Sequence, residues 1–215
     1  MKQIREDLWE TSSESPFPGM YTHAYFLKCK RSNILIYNTS NENDIDLIHE
    51  MGGIDTQYLS HRDEVGPSMG KIKNKFSSDL VCHDLERKYV EKYCDVDTLI
   101  KESMSHTNGL QILHTPGHTN GSISFIYDSP FENQRYLFVG DTVYLTKQGW
   151  NSLIFPENGG NKESLINTLE NYILLKPNVV ISSGSSQPIT CTEVNHSGWK
   201  KGIIKLISQL QLQRP

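Results

Sequence analysis

The chain has 215 residues, 36% hydrophobic and 21% charged, so it carries enough apolar material for a packed core. Its formal net charge of −4 argues against a nucleic-acid partner, because phosphate binding draws on clustered cations. No apolar run approaches the ~18 residues of a membrane span, and the opening MKQIREDLWE mixes charge signs without an apolar centre. No targeting peptide and no membrane partner are therefore expected, and a cytoplasmic location is. Cys29, Cys82, Cys94 and Cys191 form no C-x-x-C pair and are expected as free thiols.

In chain order, YTHAYFLKC (21–29) and NILIYN (33–38) flank KRS and predict a hairpin of β-branched and aromatic residues. NENDIDLIHEMGG predicts a helix, with Asn and Asp at its start and Gly52-Gly53 at its stop. Strands are expected at TQYLS (56–60), DLVCH (79–83), LQILH (110–114), SISFIY (122–127), YLFVGD (136–141) and NVVIS (178–182). NKESLINTLENYILLKP (161–177) sets Leu165, Leu169, Tyr172 and Ile173 on one helical face before Pro177 ends it. In GWKKGIIKLISQLQL, Ile203, Leu206, Ile207 and Leu210 follow the i, i+3, i+4, i+7 rule of a core-facing stripe. Strands alternating with helices, without repeat or linker, read as one α/β domain spanning residues 1–215.

Three of the predicted strands end in unusual polar residues: YLSHRDEVG, HTPGHTNGS and LFVGDTVY. A single His or Asp after a strand is an ordinary cap or turn former. Three such ends together also suit a metal site, since imidazole and carboxylate are the ligands of zinc, iron or manganese. Gly117 and Gly140 would let the backbone turn sharply enough to aim His118 and Asp141 inward. Spacing alone leaves both readings open.

The order of SHRDE, HTPGHTNGS and FVGDT resembles the metallo-β-lactamase fold superfamily, which includes glyoxalase II-like hydrolases. HTPGHTNGS is similar to that family's third motif and FVGDTVY to its fourth, and the resemblance runs over residues 20 to 210. It implies an αββα sandwich with a metal site at one sheet edge. His118 matches the third-motif ligand, Asp141 the carboxylate that usually bridges two metals, and His114 an outer histidine that is generally scaffold. The first motif departs from the family's H-x-H-x-D-H. Here HRDEVG makes His61 the first histidine, Asp63 the acid and Glu64 the replacement for the last histidine, with two residues missing. The fifth motif's Gly-His is Gly184-Ser185 here.

The resemblance therefore implies a reduced metal site of His61, Asp63, His118 and Asp141, holding one ion or none rather than two. Zinc is the expected ion, with iron and manganese open, and Asp63 or Glu64 the expected general base. The implied activity is hydrolysis of a small-molecule ester, thioester or lactone. A catalytically impaired binding protein and an iron-dependent dioxygenase of sulfur compounds are the alternatives. Arg62 either pairs with a carboxylate or orients an anionic substrate. Tyr144, Lys147 and Trp150 either line the pocket or form an ordinary loop. His83 is expected to be structural and His196 a surface or capping residue, while His23, His49 and His106 have no site context. Oligomeric state is not legible.

Overall fold

The computed structural model describes residues 1–30, 32–106 and 108–212. The expected hairpin forms between Tyr25–Lys28 and Asn33–Ile36, with Tyr25 opposite Ile36. Arg31 of its KRS turn lies outside the described residues. Asn33–Ile36, Thr56–Tyr58, Asp79–His83 and Thr98–Ile100 then pair in parallel. Parallel neighbours require crossovers, and α1 (Glu42–Glu50), α2 (Ser68–Phe76) and α3 (Arg87–Val90) provide them. Lys2–Arg5 and Leu8–Glu10 add an antiparallel edge, completing a seven-stranded sheet among the described residues.

A second, six-stranded sheet runs in the order Cys191–Glu193, Val179–Ser182, Gln134–Gly140, Ile123–Ser129, Gln111–His114, Met104–Ser105. Its one parallel pair, Gln134–Gly140 with Val179–Ser182, is bridged by α4 (Lys162–Leu174). α5 (His196–Leu212) follows the last strand. Asn41 and Asn161 cap α1 and α4 by accepting from the backbone N–H groups of Asp44 and Ser164. α5 begins two residues before the predicted start, because Asn195 accepts from Gly198 N at 2.8 Å; His196 is an exposed first-turn residue.

Period-two alternation sorts the second sheet's side chains into two cores. Phe125, Tyr127, Tyr136, Phe138, Val179 and Ile181 meet Tyr25, Ile34, Ile36 and Tyr58 of the first sheet. Their neighbours Ile126, Leu137, Val139 and Val180 pack beneath Leu165, Leu169 and Tyr172 of α4 and the predicted stripe of α5. On the far side, Leu59, Leu80 and Cys82 are covered by Met69 of α2 and Val90 of α3. The layers are helix, sheet, sheet, helix, the αββα sandwich expected. No helix among the described residues is long and apolar enough to cross a membrane.

Two differences from the sequence reading have plain causes. α2 has no legible signal in the sequence, because SMGKIKNKF contains a glycine and buries only Ser68, Met69 and Ile72, too few for a stripe. The segment 21–29 is not one strand: Tyr21–Thr22 leaves the first sheet and pairs with Gly184–Ser185. His23 N donates to Ser183 O at 3.1 Å and Ala24 N to Thr11 Oγ1 at 2.9 Å, which breaks the ladder there.

Candidate metal centre

Thr56–Tyr58 and Gln134–Gly140 belong to different sheets, yet both run to the same rim. Ser60 O accepts from Ile123 N at 2.9 Å, and Gly140 N donates to the Tyr37 hydroxyl, which itself donates to Ile181 O, each at 2.9 Å. Gly140 has φ +56°, and a Cβ there would lie 2.2 Å from Ser60 Oγ. Only glycine lets these two strand ends approach so closely. At the third motif, Gly117 has φ +148°, and an added Cβ would meet Leu165 Cα of α4 at 2.5 Å. Both glycines singled out in the sequence thus set the turns that aim His118 and Asp141.

His61 is extended (φ −164°) and opens a single 3-10 turn, Arg62–Glu64. Glu64 folds back, its Oε2 accepting from Ser60 N at 2.8 Å and its Oε1 lying 3.2 Å from His61 Nδ1 while also accepting from Ser60 Oγ. His61 Nδ1 bonds to Ser60 Oγ at 2.9 Å; that hydroxyl gives its own proton to Glu64 and so accepts from the ring, which holds the ring proton on Nδ1 and leaves the Nε2 lone pair free. His118 is fixed in the same tautomer, because its Nδ1 faces Leu153 O at 3.0 Å and a carbonyl can only accept. The Nε2 atoms of both histidines are buried without a hydrogen-bond partner. Their rings stand edge to face with centroids 4.7 Å apart.

Asp141 completes the group. Its Oδ1 accepts from Ser183 Oγ at 2.5 Å and from Gly184 N at 3.0 Å, while Oδ2 lies 3.5 Å from His61 Nε2. Donor atoms of His61, His118 and Asp141 all fall within 4.8 Å of one another. Leaving buried nitrogens unpaired is costly in an ordinary interior. Two imidazole nitrogens and a carboxylate oxygen turned on one point fit a first-row cation with open positions.

The electrostatics agree. Burial would lower the His61 pKa, but Glu64 and Asp141 outweigh it and raise it well above the ordinary imidazole value. Burial would raise Asp141, but His61, His118 and Ser183 hold its carboxylate well below the usual range. Without an ion these carboxylates favour a proton on the His61 ring; a cation at the same point would take that proton's place.

The remaining expected site residues divide. Asp63 Oδ2 lies 3.4 Å from His118 Nε2 and 3.9 Å from His61 Nε2, but Asp63 is outside the three-residue group and 41% exposed, on the cavity side. Glu64 has both oxygens committed to Ser60 and His61 and is only 6% exposed, the geometry of an orienting group rather than of a base open to substrate. Arg62 is turned into the protein, bonded to Glu86 at 2.5 and 3.0 Å and to Asn120 at 2.5 Å, and stacked on Tyr89. Of its two possible roles, the structural pairing is the one formed. His114 donates towards Asn120 O at 3.1 Å and stacks on His83, so both are scaffold beneath the third-motif turn. Tyr144 lines the cavity; Lys147 does not, and Trp150 packs edge-on against Trp199.

The group opens into a cavity of about 1000 Å³. One lining residue could not be found from local sequence. His23 is buried, its Nδ1 faces Thr11 O at 2.8 Å, and its Nε2 has no partner. Only the long-range pairing of Thr22 with Gly184 brings it beside Ser183. Ser185, where the family's fifth-motif histidine would stand, is buried and directs its hydroxyl to Leu145 O at 3.4 Å.

A family model described as Metallo-beta-lactamase superfamily matches residues 57–184. Among solved structures, the metallo-beta-lactamase from Pontibacter korlensis is similar with a TM-score of 0.74 at 15% identity, over 99% of this chain and 98% of that one. ETHE1 from Myxococcus xanthus has a TM-score of 0.66 at 19% identity, over 87% and 80%. TTHA1623, solved in a di-iron-bound form, has a TM-score of 0.66 at 19% identity, over 89% and 98%. At such identities the likeness to these structures is one of fold.

Proposed function

Since the chain belongs to the metallo-beta-lactamase superfamily, matched over residues 57–184, we propose that it is a metal-dependent hydrolase of a small ester, thioester or lactone. One ion would be held by His61 Nε2, His118 Nε2 and Asp141 Oδ2. The observation that carries this reading is the pair of buried, unpartnered Nε2 atoms converging with Asp141. Zinc, iron or manganese there would polarise a carbonyl and lower the pKa of a coordinated water.

The chain's own residues do the rest. Ser60 Oγ, itself oriented by Glu64, and the Leu153 carbonyl hold the Nδ1 protons of His61 and His118, leaving both Nε2 atoms as ligand donors. Ser183 and Gly184 occupy Asp141 Oδ1, so that Oδ2 is the oxygen turned inward. Asp63, ionised because the neighbouring histidines lower its pKa against the effect of burial, stands on the cavity side and is the general base. Its Oδ2 takes a proton from the attacking water and returns it to the leaving oxygen or sulfur. Phe155 packs edge-on against His118, with centroids 5.0 Å apart, and keeps water from that flank. The four free cysteines favour a reducing, cytoplasmic setting.

The test is a panel of small esters, thioesters and lactones offered to protein stripped by chelation and then reloaded with each metal. Turnover that returns with metal and is lost in His118→Ala supports the reading. Metal-loaded protein that hydrolyses none of them overturns it.

A further inference from the structure

The charge of the cavity wall is one-sided. Among the described residues lining it there is no lysine or arginine, whereas five acidic residues, Glu14, Asp63, Glu64, Asp141 and Glu157, belong to the lining. A divalent ion would offset Asp141 and Asp63, and Glu64 is committed at His61. That leaves Glu14 and Glu157 with no cationic side chain in the cavity wall itself; Glu157 also borders an adjoining groove lined by Arg62, Arg87 and Lys88. Glu14 is held by neutral donors, Thr39 Oγ1 at 2.5 Å, Ser40 N at 3.0 Å and Ser40 Oγ. The one arginine of the first-motif turn, Arg62, is taken up by Glu86 and Asn120 and does not reach the cavity.

Another part of the wall is apolar. Phe17, Met20, Val65, Leu153 and Phe155 line it, and Phe17 and Leu153 are 60% and 45% exposed at its mouth. Large apolar side chains held open around a concave site mark the part that receives a ligand's apolar body. A ligand carrying a fixed anion would have to bring it past two acids with no cation to receive it. That raises its cost twice, through repulsion and through desolvation without a partner.

Resting on the hydrolase reading above, we propose that the substrate is an apolar acyl compound without carboxylate, phosphate or sulfonate, neutral or cationic at its far end. Thioesters of acidic carriers such as glutathione, and phosphodiesters, fall outside that class.

The test uses three para-nitrophenyl esters of equal acyl length whose far end is a methyl, a trimethylammonium or a sulfonate group, a poor metal ligand. With metal-loaded protein, kcat/KM for the methyl and ammonium esters should exceed that for the sulfonate at least about tenfold, a difference of about 1.4 kcal/mol. Rising salt should narrow the gap, and Glu157→Lys should raise the sulfonate-to-methyl ratio severalfold. A parallel calorimetric titration compares benzyltrimethylammonium with phenylmethanesulfonate and needs no turnover. Equal treatment of the sulfonate in either arm overturns the substrate class. Absence of all ester turnover with the binding order intact overturns the hydrolase reading and leaves the cavity's charge preference standing.

Discussion

Arg62 and Glu86 form a buried ion pair beneath the turn that carries His61 and Asp63, with side chains 5% and 1% exposed. Replacing Arg62 with Met keeps most of the volume but strands the Glu86 carboxylate, which retains only Thr119 Oγ1 at 2.8 Å. Breaking a buried pair from one side costs about 3–5 kcal/mol, because the partner stays desolvated. For a chain of this size each kcal/mol lowers Tm by about 2–4 °C, so R62M should melt about 6–20 °C below wild type. The carboxylate packs directly on the bare face of Gly121, where a Cβ would lie 2.4 Å from Glu86 Oε1. The double variant Arg62→Met, Glu86→Leu removes both charges and should recover to within about 1 kcal/mol of wild type. Urea and thermal denaturation of the three proteins measure this directly. A single variant costing under about 1 kcal/mol, or two costs that simply add, would exclude a buried, coupled ion pair.

Gly140→Ala should cost about 2–5 kcal/mol in urea denaturation, combining a left-handed backbone penalty with overpacking against Ser60; a change near zero contradicts the close approach. Asp63→Asn should lower kcat by about 10²- to 10⁴-fold while metal content is retained, the signature of a lost base; loss of the ion instead would make Asp63 a ligand. His83 has its pKa lowered by burial and then by the adjacent His114. Its stability contribution is therefore present above the unfolded value of about 6.5 and lost as pH falls through the folded value. Urea midpoints should drop from about pH 7 towards about pH 5, and less so in His83→Gln; identical slopes in both proteins would exclude the assignment.

What the sequence disclosed is what short-range rules encode. Asn41 caps its helix as its position suggested, and the alternation in Ile123–Ser129 and Gln134–Gly140 sorts side chains between the two cores. The positive φ of Gly117 and Gly140 follows from the turns the motifs demand. What it withheld depends on contacts between distant segments. Arg62 meets Glu86 24 residues away, and His23 reaches the cavity only because Thr22 pairs with Gly184. The different roles of the neighbouring acids Asp63 and Glu64 rest on which way a single 3-10 turn faces. Ser60 N and Oγ draw Glu64 inward, and nothing in HRDE announces it.

His61, His118 and Asp141 are proposed to hold an ion. Metal content per chain, measured by plasma mass spectrometry on wild type and His118→Ala after loading and desalting, tests it most directly, with circular dichroism confirming that both are folded. Wild type should retain about one zinc, iron or manganese ion per chain, and the folded variant almost none, because a lost ligand releases the ion. Wild type that retains no ion, or a folded His118→Ala that keeps its full complement, would contradict a metal centre at these residues.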